Sequence, residues 1–404
     1  MIREIFVFLY LLHVKIWFGI FKILPQKSKT VLLSSFGDNI FFVWEKVLEQ
    51  TNHETVILKT PGTKGEFNQS ERTELISFDL KNNYFGFIKG IYHLATCRVV
   101  FVDNYYGVLA GTKFNSNVHC VQLWHANGAI KQFGMRDPSI TFRSEKAFRR
   151  FKAVYNRFTH ITVGSDEMAQ IFKAAFYLGE DVMLKTGLPR TDLFFDEHLQ
   201  QSIVNDLERL YPQIKQKKTI LYAPTYREQQ LKEHSIKLSL QKLYEELSGD
   251  YILLLRLHPA IIKKYRNNYP DFVTDVSDYH DLNHLLLVTD YLITDYSSIP
   301  FEYSLLNKPM IFYPYDIDEY RKERGFWDDY EDLVPGPIAL DTNDIIHLIK
   351  QDDFNLNTVL EFSNVWNKYN DGKATINLIE TIYGERTSNV IEKQTDAKSM
   401  NREV

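Results

Sequence analysis

Cysteine is scarce: Cys97 and Cys120 are the whole supply in 404 residues, so neither a disulfide framework nor a four-cysteine zinc site can be built. Surplus positive charge is also lacking. Lys and Arg number 47 against 52 Asp and Glu, a net charge of −5, which removes any global electrostatic case for a nucleic-acid partner. No Walker A sequence and no Gly-x-Gly-x-x-Gly occurs, histidines do not fall at zincin spacing, and no Gly-x-Ser-x-Gly nucleophile elbow is present. P-loop NTPases, dinucleotide enzymes, zincins and α/β-hydrolases are thereby set aside. What remains is a globular composition, 44% hydrophobic and 25% charged, with a high aromatic content of 14%. The length suits two domains.

Long apolar runs are confined to one, Ile5 to Leu24. No small-residue cleavage site follows it, which argues against a signal peptide. His13, Lys15 and Lys22 interrupt it, and at about 100° per residue Glu4, Lys15 and Lys22 fall near one line. A narrow polar line on an apolar cylinder fits a helix lying in a membrane interface; packing on the protein itself and spanning the bilayer are the other two readings. Residues 143–158 (RSEKAFRRFKAVYNRF) read as a basic amphipathic helix, with Arg143, Lys146, Arg150 and Arg157 on one face and Phe148, Phe151, Tyr155 and Phe158 on another. Its basic face is either solvated or set against lipid phosphates.

Beyond the first helix, short β-rich runs alternate with helical stretches. Thr30–Phe36, Glu54–Lys59, Val99–Asp103, Val118–Trp124 and Thr159–Gly164 form one series. Thr219–Tyr222, Tyr251–Leu257, Tyr291–Thr294 and Met310–Tyr313 form a second. Continuous apolar runs of this kind are buried parallel strands, so the fold class is α/β, two doubly wound parallel-sheet domains facing a cleft. The predicted division is a membrane-associating helix over 1–27, an N-terminal α/β domain over 28–205, a C-terminal α/β domain over 206–384 and a polar tail over 385–404, with the boundary in the polar stretch Asp196–Lys218.

Chemistry-bearing residues cluster at the ends of these strands, where open α/β sheets bind ligands. Trp124-His-Ala-Asn-Gly128, with Lys131 beyond it, puts an imidazole at a strand tip, where it can accept a hydroxyl proton near neutral pH. Arg256-Leu-His258 pairs a cation with an imidazole, a combination suited to a diphosphate leaving group. Ser297-Ser298 offers hydroxyls and free N–H groups to an anion, with Glu302 beyond them for ribose hydroxyls. Pro224-Thr225 before Arg227, and Arg190 in Gly187-Leu-Pro-Arg-Thr-Asp192, are weaker signals of the same kind. These residues alone suggest a transferase for a nucleotide diphosphate, with no obligatory metal or other cofactor, and do not name the group transferred.

Taken together the motifs resemble the CDP-glycerol:poly(glycerophosphate) glycerophosphotransferase family of wall teichoic acid synthesis. The resemblance rests on Trp124-His125, Gly164-Ser165 with Glu167-Met168, Gly187 with Pro189-Arg190 and Asp192, and Tyr222-Ala-Pro-Thr-Tyr-Arg227. Leu257-His258-Pro259, Ile293-Thr-Asp-Tyr-Ser-Ser298 and Asn307-Lys-Pro309 complete it. It implies a GT-B-like fold, CDP-glycerol as donor and a disaccharide-diphosphoundecaprenol as acceptor. It also implies a peripheral position on the cytoplasmic face of the cell membrane, with other teichoic acid enzymes as candidate partners. His125 and His258 take the catalytic roles; Trp124, Ala126, Asn127, Gly128, Arg190, Pro224, Thr225, Arg256, Leu257, Ser297, Ser298 and Glu302 are the donor-binding set. The general base is His125, with His258 or Asp103 as alternatives, and Asp103-Asn104 lies on the acceptor side. Ala126-Asn127-Gly128 and the short chain resemble members that add a first glycerol phosphate more than chain-extending polymerases. Those polymerases and GT-B nucleotide-sugar glycosyltransferases are the alternative readings; a carbohydrate-binding scaffold is a third.

Overall fold

The computed structural model describes residues 2–63, 65, 67–225, 227, 236–257 and 266–384, so His258 and the 385–404 tail lie outside the described residues. Two all-parallel sheets organise the chain. The first contains β1 (Lys29–Ser34), β2 (Glu54–Lys59), β3 (Thr73–Ser77), β4 (Val99–Val102), β5 (His119–Gln122), β6 (His160–Thr162) and β7 (Met183–Leu184), in the order β3-β2-β1-β4-β5-β6-β7. The second contains β8 (Lys218–Tyr222), β9 (Tyr251–Leu255), β10 (Val273–Asp275), β11 (Tyr291–Thr294) and β12 (Met310–Phe312), in the order β10-β9-β8-β11-β12. Both orders reverse once, between β1 and β4 and between β8 and β11, and a doubly wound sheet opens its ligand crevice at that reversal.

Covered faces explain the continuous apolar runs. Every residue of β1, β4 and β11 is buried, and each large aliphatic side chain removed from water contributes about 1.5–3 kcal/mol. The strands stop earlier than the apolar runs suggest. β1 ends at Ser34, β5 at Gln122 and β9 at Leu255 rather than at Phe36, Trp124 and Leu257. At each of these points the backbone leaves the ladder to build a loop at the crevice. Strand alternation therefore does not extend through Arg256 and Leu257. The sequence runs also missed β3, β7 and β10, which are edge strands; short edges need little apolar sequence.

The polar stretch read as a domain connection is largely helical. Helix Glu197–Leu210 is capped by Asp196 and buries Ile203 and Leu207, so a division at 205/206 falls inside a continuous helix. The segment 206–384 also does not stay with the second sheet. Its last helix, Ala374–Tyr383, places Leu378 and Ile379 in one core with Ile40, Val43 and Val47 of the first sheet's helix Asp38–Gln50. Tyr383 Oη lies 2.6 Å from Thr30 Oγ1, fixing the returned helix to β1.

The N-terminal helix, α1 (Ile2–Phe21), is apolar on two opposite sides. One side packs on the protein: Val14 and Phe18 are buried, and a Cβ on Gly111 would stand 2.6 Å from Val14 Cγ1. The other side exposes Ile5, Phe6, Phe8, Leu9, Leu12, Ile16 and Ile20. Part of the expected polar line turns inward, since Glu4 pairs with Arg150 and Lys22 Nζ donates to the Lys113 carbonyl at 2.6 Å. The basic helix runs from Glu145 to Tyr155, shorter than its pattern. Its faces also divide: Arg150 is paired and Arg157 Nε donates to Leu109 O at 3.3 Å, while Arg143 and Lys146 are exposed.

Candidate active site

At the reversal in the first sheet, Asp103 follows β4 with no solvent exposure. Its carboxylate accepts hydrogen bonds from Ser34 Oγ (3.2 Å), the backbone N–H groups of Ser35 (2.9 Å), Phe36 (3.0 Å) and Gly37 (3.0 Å), and the Tyr106 hydroxyl (2.5 Å). These donors hold the β1 exit loop in place. Gly37 is required there, with φ 103° and a would-be Cβ 2.8 Å from Gly65 Cα. Burial raises the Asp103 pKa against the opposing pull of its donors. A side chain so enclosed cannot meet an acceptor hydroxyl, which corrects the readings of Asp103 as an alternative base or an acceptor contact. Asn104 is engaged nearby: its Oδ1 accepts from Tyr105 N at 2.7 Å and its carbonyl from Gln122 Nε2 at 3.0 Å.

His125 stands where the sequence placed it, just beyond β5 in the crevice. Its ring is stacked between Phe36 (centroids 4.2 Å, planes 18° apart) and Trp124 (4.3 Å, 25°). Nδ1 lies 3.1 Å from the Asp103 carbonyl oxygen. A carbonyl can only accept, so Nδ1 carries the proton and Nε2 keeps its lone pair. Burial lowers the pKa to about 4, opposed by the carbonyl bond, so the imidazole is neutral around pH 7. The preceding Trp124 adopts φ 59°, a left-handed conformation that costs a non-glycine residue about 1–3 kcal/mol. Its N–H donates to Gln122 Oε1 at 2.8 Å and its carbonyl accepts from Asn39 Nδ2 at 3.0 Å, which hold the turn against that strain.

The next residues join the two sheets. Asn127 N donates to Glu302 Oε1 at 2.9 Å, and Arg190 forms a buried ion pair with the same carboxylate. The Arg190 guanidinium also pairs with Asp38 at 2.7 Å, while its backbone N–H donates to Asn39 Oδ1 at 2.9 Å. The Asn127 side chain bonds Asn367 Oδ1 at 2.5 Å and accepts from Asn370 Nδ2 at 3.0 Å. Ala126 is buried, and a Cβ on Gly128 would stand 2.2 Å from the Phe301 ring. Glu302 is 1% exposed, so the expected ribose contact has no free surface through which to act. Asn127, Arg190 and Glu302 instead set how the two sheets meet.

The second sheet contributes from its own reversal. Thr225 N donates to Asp295 Oδ1 at 2.7 Å, and Thr225 Oγ1 is buried without a partner among the described residues. Asp295 also pairs with Arg227 at 2.8 Å, and Arg227 with Asp316 at 2.5 Å. Pro224, Ser297 and Ser298 are half-buried, and the Ser298 hydroxyl makes no capping bond. Arg256 is half-buried, and one of its guanidinium nitrogens, Nη1, donates to the carbonyls of Tyr279 (3.0 Å) and Val276 (3.3 Å). Leu257 is buried, its N–H on Ser277 Oγ at 2.9 Å.

Between the sheets the His125 loop is zipped to the segment 325–327. Trp327 N donates to Ile130 O (3.0 Å), Gln132 N donates to Gly325 O (3.1 Å), and Lys131 bridges Phe326. Burial lowers the Lys131 pKa to about 8, with Asp295 across the crevice opposing that shift. Phe36, Asp38 and Asn39 were missed by the sequence reading, although they occupy the first strand-to-helix turn of a doubly wound sheet, a position that could have drawn attention to them.

Comparison with known proteins agrees with this architecture. Residues 16–384 match the family described as CDP-Glycerol:Poly(glycerophosphate) glycerophosphotransferase. The chain is 36% identical over 358 residues to the teichoic acid glycerol-phosphate primase of Bacillus subtilis (strain 168), covering 88% of this chain and 92% of that one. It is 34% identical to the teichoic acid poly(ribitol-phosphate) polymerase of Bacillus spizizenii (strain ATCC 23059 / NRRL B-14472 / W23), over 90% of this chain and 58% of that one. Among solved structures, the wall teichoic acid polymerase TagF, in a histidine variant soaked with CDPG, superposes with a TM-score of 0.78. That likeness covers 96% of this chain and 99% of the other at 22% identity, and it shows a shared fold.

Proposed function

The chain belongs to the CDP-glycerol:poly(glycerophosphate) glycerophosphotransferase family, and from that premise we propose that it transfers one glycerol phosphate from CDP-glycerol to N-acetylmannosaminyl-N-acetylglucosaminyl diphosphoundecaprenol, releasing CMP. The two sheets are read as a GT-B-like pair with the donor in the crevice between them. The enzyme works at the cytoplasmic face of the cell membrane, with the outer side of α1 against lipid.

The observation that carries this reading is His125. Its fixed tautomer presents Nε2 as a proton acceptor, and stacking on both ring faces prevents it from turning. In the reaction the acceptor hydroxyl oxygen forms a bond to the glycerol-bearing phosphorus as the bond from that phosphorus to the CMP oxygen breaks. The electron pair of the broken bond leaves with CMP, and the hydroxyl proton passes to Nε2. Phosphoryl transfer of this kind depends on positioning and charge stabilisation. On this reading the diphosphate is assigned to Lys131, the Thr225 hydroxyl and the Ser297-Ser298 turn. His258 is assigned to the leaving group from the family resemblance alone. No metal is treated as obligatory, and turnover that stops in excess EDTA would remove that element.

The test is a donor panel with the lipid-linked disaccharide as acceptor. CMP release from CDP-glycerol, with none from CDP-ribitol and no UDP from UDP-sugars, is the expected result. Preference for CDP-ribitol would move the enzyme to the ribitol branch, a second reading favoured by the 34% identity to a ribitol-phosphate polymerase. UDP release would make it a glycosyltransferase, and no release from any donor would fit a binding scaffold.

A further inference from the structure

A cavity of about 580 Å³ lies between α1 and the basic helix Glu145–Tyr155, outside the crevice. Arg3, Arg143 and Arg150 line it against a single acidic residue, Glu4. Glu4 is engaged by Arg150 in two hydrogen bonds, of 2.5 and 3.0 Å. The remaining cations, Arg3 and Arg143, are exposed at the mouth, so the cavity carries a net positive charge. Beside it is an apolar surface: Phe8 of α1 is 64% exposed and Phe142, which borders the cavity, is 91% exposed. Tyr105 also lines it, two residues along the chain from Asp103, whose carbonyl bonds His125. The cavity thus brings three arginines and one carboxylate beside an apolar outer surface.

We propose that this groove seats the diphosphate of a polyprenyl-diphosphate-linked acceptor, with its polyprenyl chain along the outer side of α1 and its sugar end directed toward His125. Guanidinium groups suit a diphosphate because each can offer two parallel N–H donors to its oxygens. The apolar side suits the chain, since each buried CH₂ contributes about 0.8 kcal/mol. The inference rests on the functional reading for the identity of the acceptor, and on the groove alone for the site.

Two variants lie outside the catalytic and donor machinery. Gly107 lines the cavity and has open space around its Cβ position, so Gly107→Phe adds a ring there from an unobstructed Cβ. Arg143→Glu reverses one mouth charge. Undecaprenyl diphosphate in detergent micelles is titrated into the wild-type protein and both variants, alongside CDP-glycerol and sedimentation with phosphatidylglycerol vesicles. Each variant is expected to weaken undecaprenyl diphosphate binding by about tenfold or more, with CDP-glycerol and vesicle binding unchanged. Unchanged affinity in both variants overturns the proposal. So does a parallel loss of vesicle binding, which would make the groove a contact for bilayer headgroups. The groove stands if lipid binding falls as expected even in an enzyme that transfers no glycerol phosphate. Transfer by an enzyme whose variants bind the lipid normally removes the groove and leaves the function.

Discussion

The Nδ1 atom of His125 and the carbonyl oxygen of Asp103 are 3.1 Å apart, and this contact decides which nitrogen of the imidazole can act as a base. Because the carbonyl has no proton to give, Nε2 holds the free lone pair. His125→Ala and His125→Gln should each lower kcat by about 10²-fold or more, in protein that circular dichroism shows to be folded. Near-normal turnover in either variant would remove His125 from the mechanism.

The pH profile should be displaced to the acid side. A base must be unprotonated, and burial has lowered the His125 pKa to about 4, so kcat/KM should be flat from pH 5 to 7 and fall only near pH 4. With the anionic donor bound beside it the imidazole is easier to protonate, so the corresponding limb in kcat should lie at higher pH. Burial also lowers Lys131 to about 8; if its charge holds the diphosphate, kcat/KM should decline above pH 8, and Lys131→Arg should abolish that decline. An acid limb in kcat/KM at pH 6.5 would show that the free enzyme's base is solvated.

Asp103→Asn separates an organiser from a base. The amide replaces a carboxylate oxygen that accepts backbone N–H groups with a group that donates, leaving buried donors unpaired at a cost of about 1–3 kcal/mol. Stability and kcat should both fall as the 34–37 loop and the Phe36 stack loosen, while the acid limb of kcat/KM persists. Disappearance of that limb would reinstate Asp103 as the base.

Glu302 and Arg190 are expected to behave as one unit in stability measurements. Arg190→Met leaves Glu302 buried with only the Asn127 N–H and should cost about 3–5 kcal/mol; Glu302→Leu leaves Arg190 its Asp38 partner and should cost less, and the double variant should cost less than the sum of the two. Denaturant titration of the three variants measures this. A weaker affinity for CDP-glycerol with no stability change in Glu302→Leu would return Glu302 to the ribose.

Both sheets were legible in the sequence because strands covered on both faces need unbroken apolar runs, as in Val99–Val102 and Tyr291–Thr294. The edge strands β3, β7 and β10 were not, because each carries at most two buried residues, whereas the edge strand β12 is buried throughout and was legible. His125 was legible as a polar residue at a strand tip. The engagement of Asn127, Arg190 and Glu302 with one another was not, since it joins residues up to 175 positions apart across two sheets. Motif residues of this kind look alike whether they contact a ligand or each other; only the geometry distinguishes them. The return of helix Ala374–Tyr383 to the first sheet was hidden for the same reason: a buried apolar stripe does not state which layer it covers.

One measurement tests the central claim most directly. The purified enzyme is incubated for long periods with excess CDP-glycerol and N-acetylmannosaminyl-N-acetylglucosaminyl diphosphoundecaprenol, and the products are weighed by mass spectrometry while CMP is counted. The account predicts one added glycerol phosphate and one CMP per acceptor, both formed about 10²-fold or more slowly by His125→Ala. A ladder of products would contradict the single addition, and an unmodified acceptor beside intact CDP-glycerol would contradict the transfer itself.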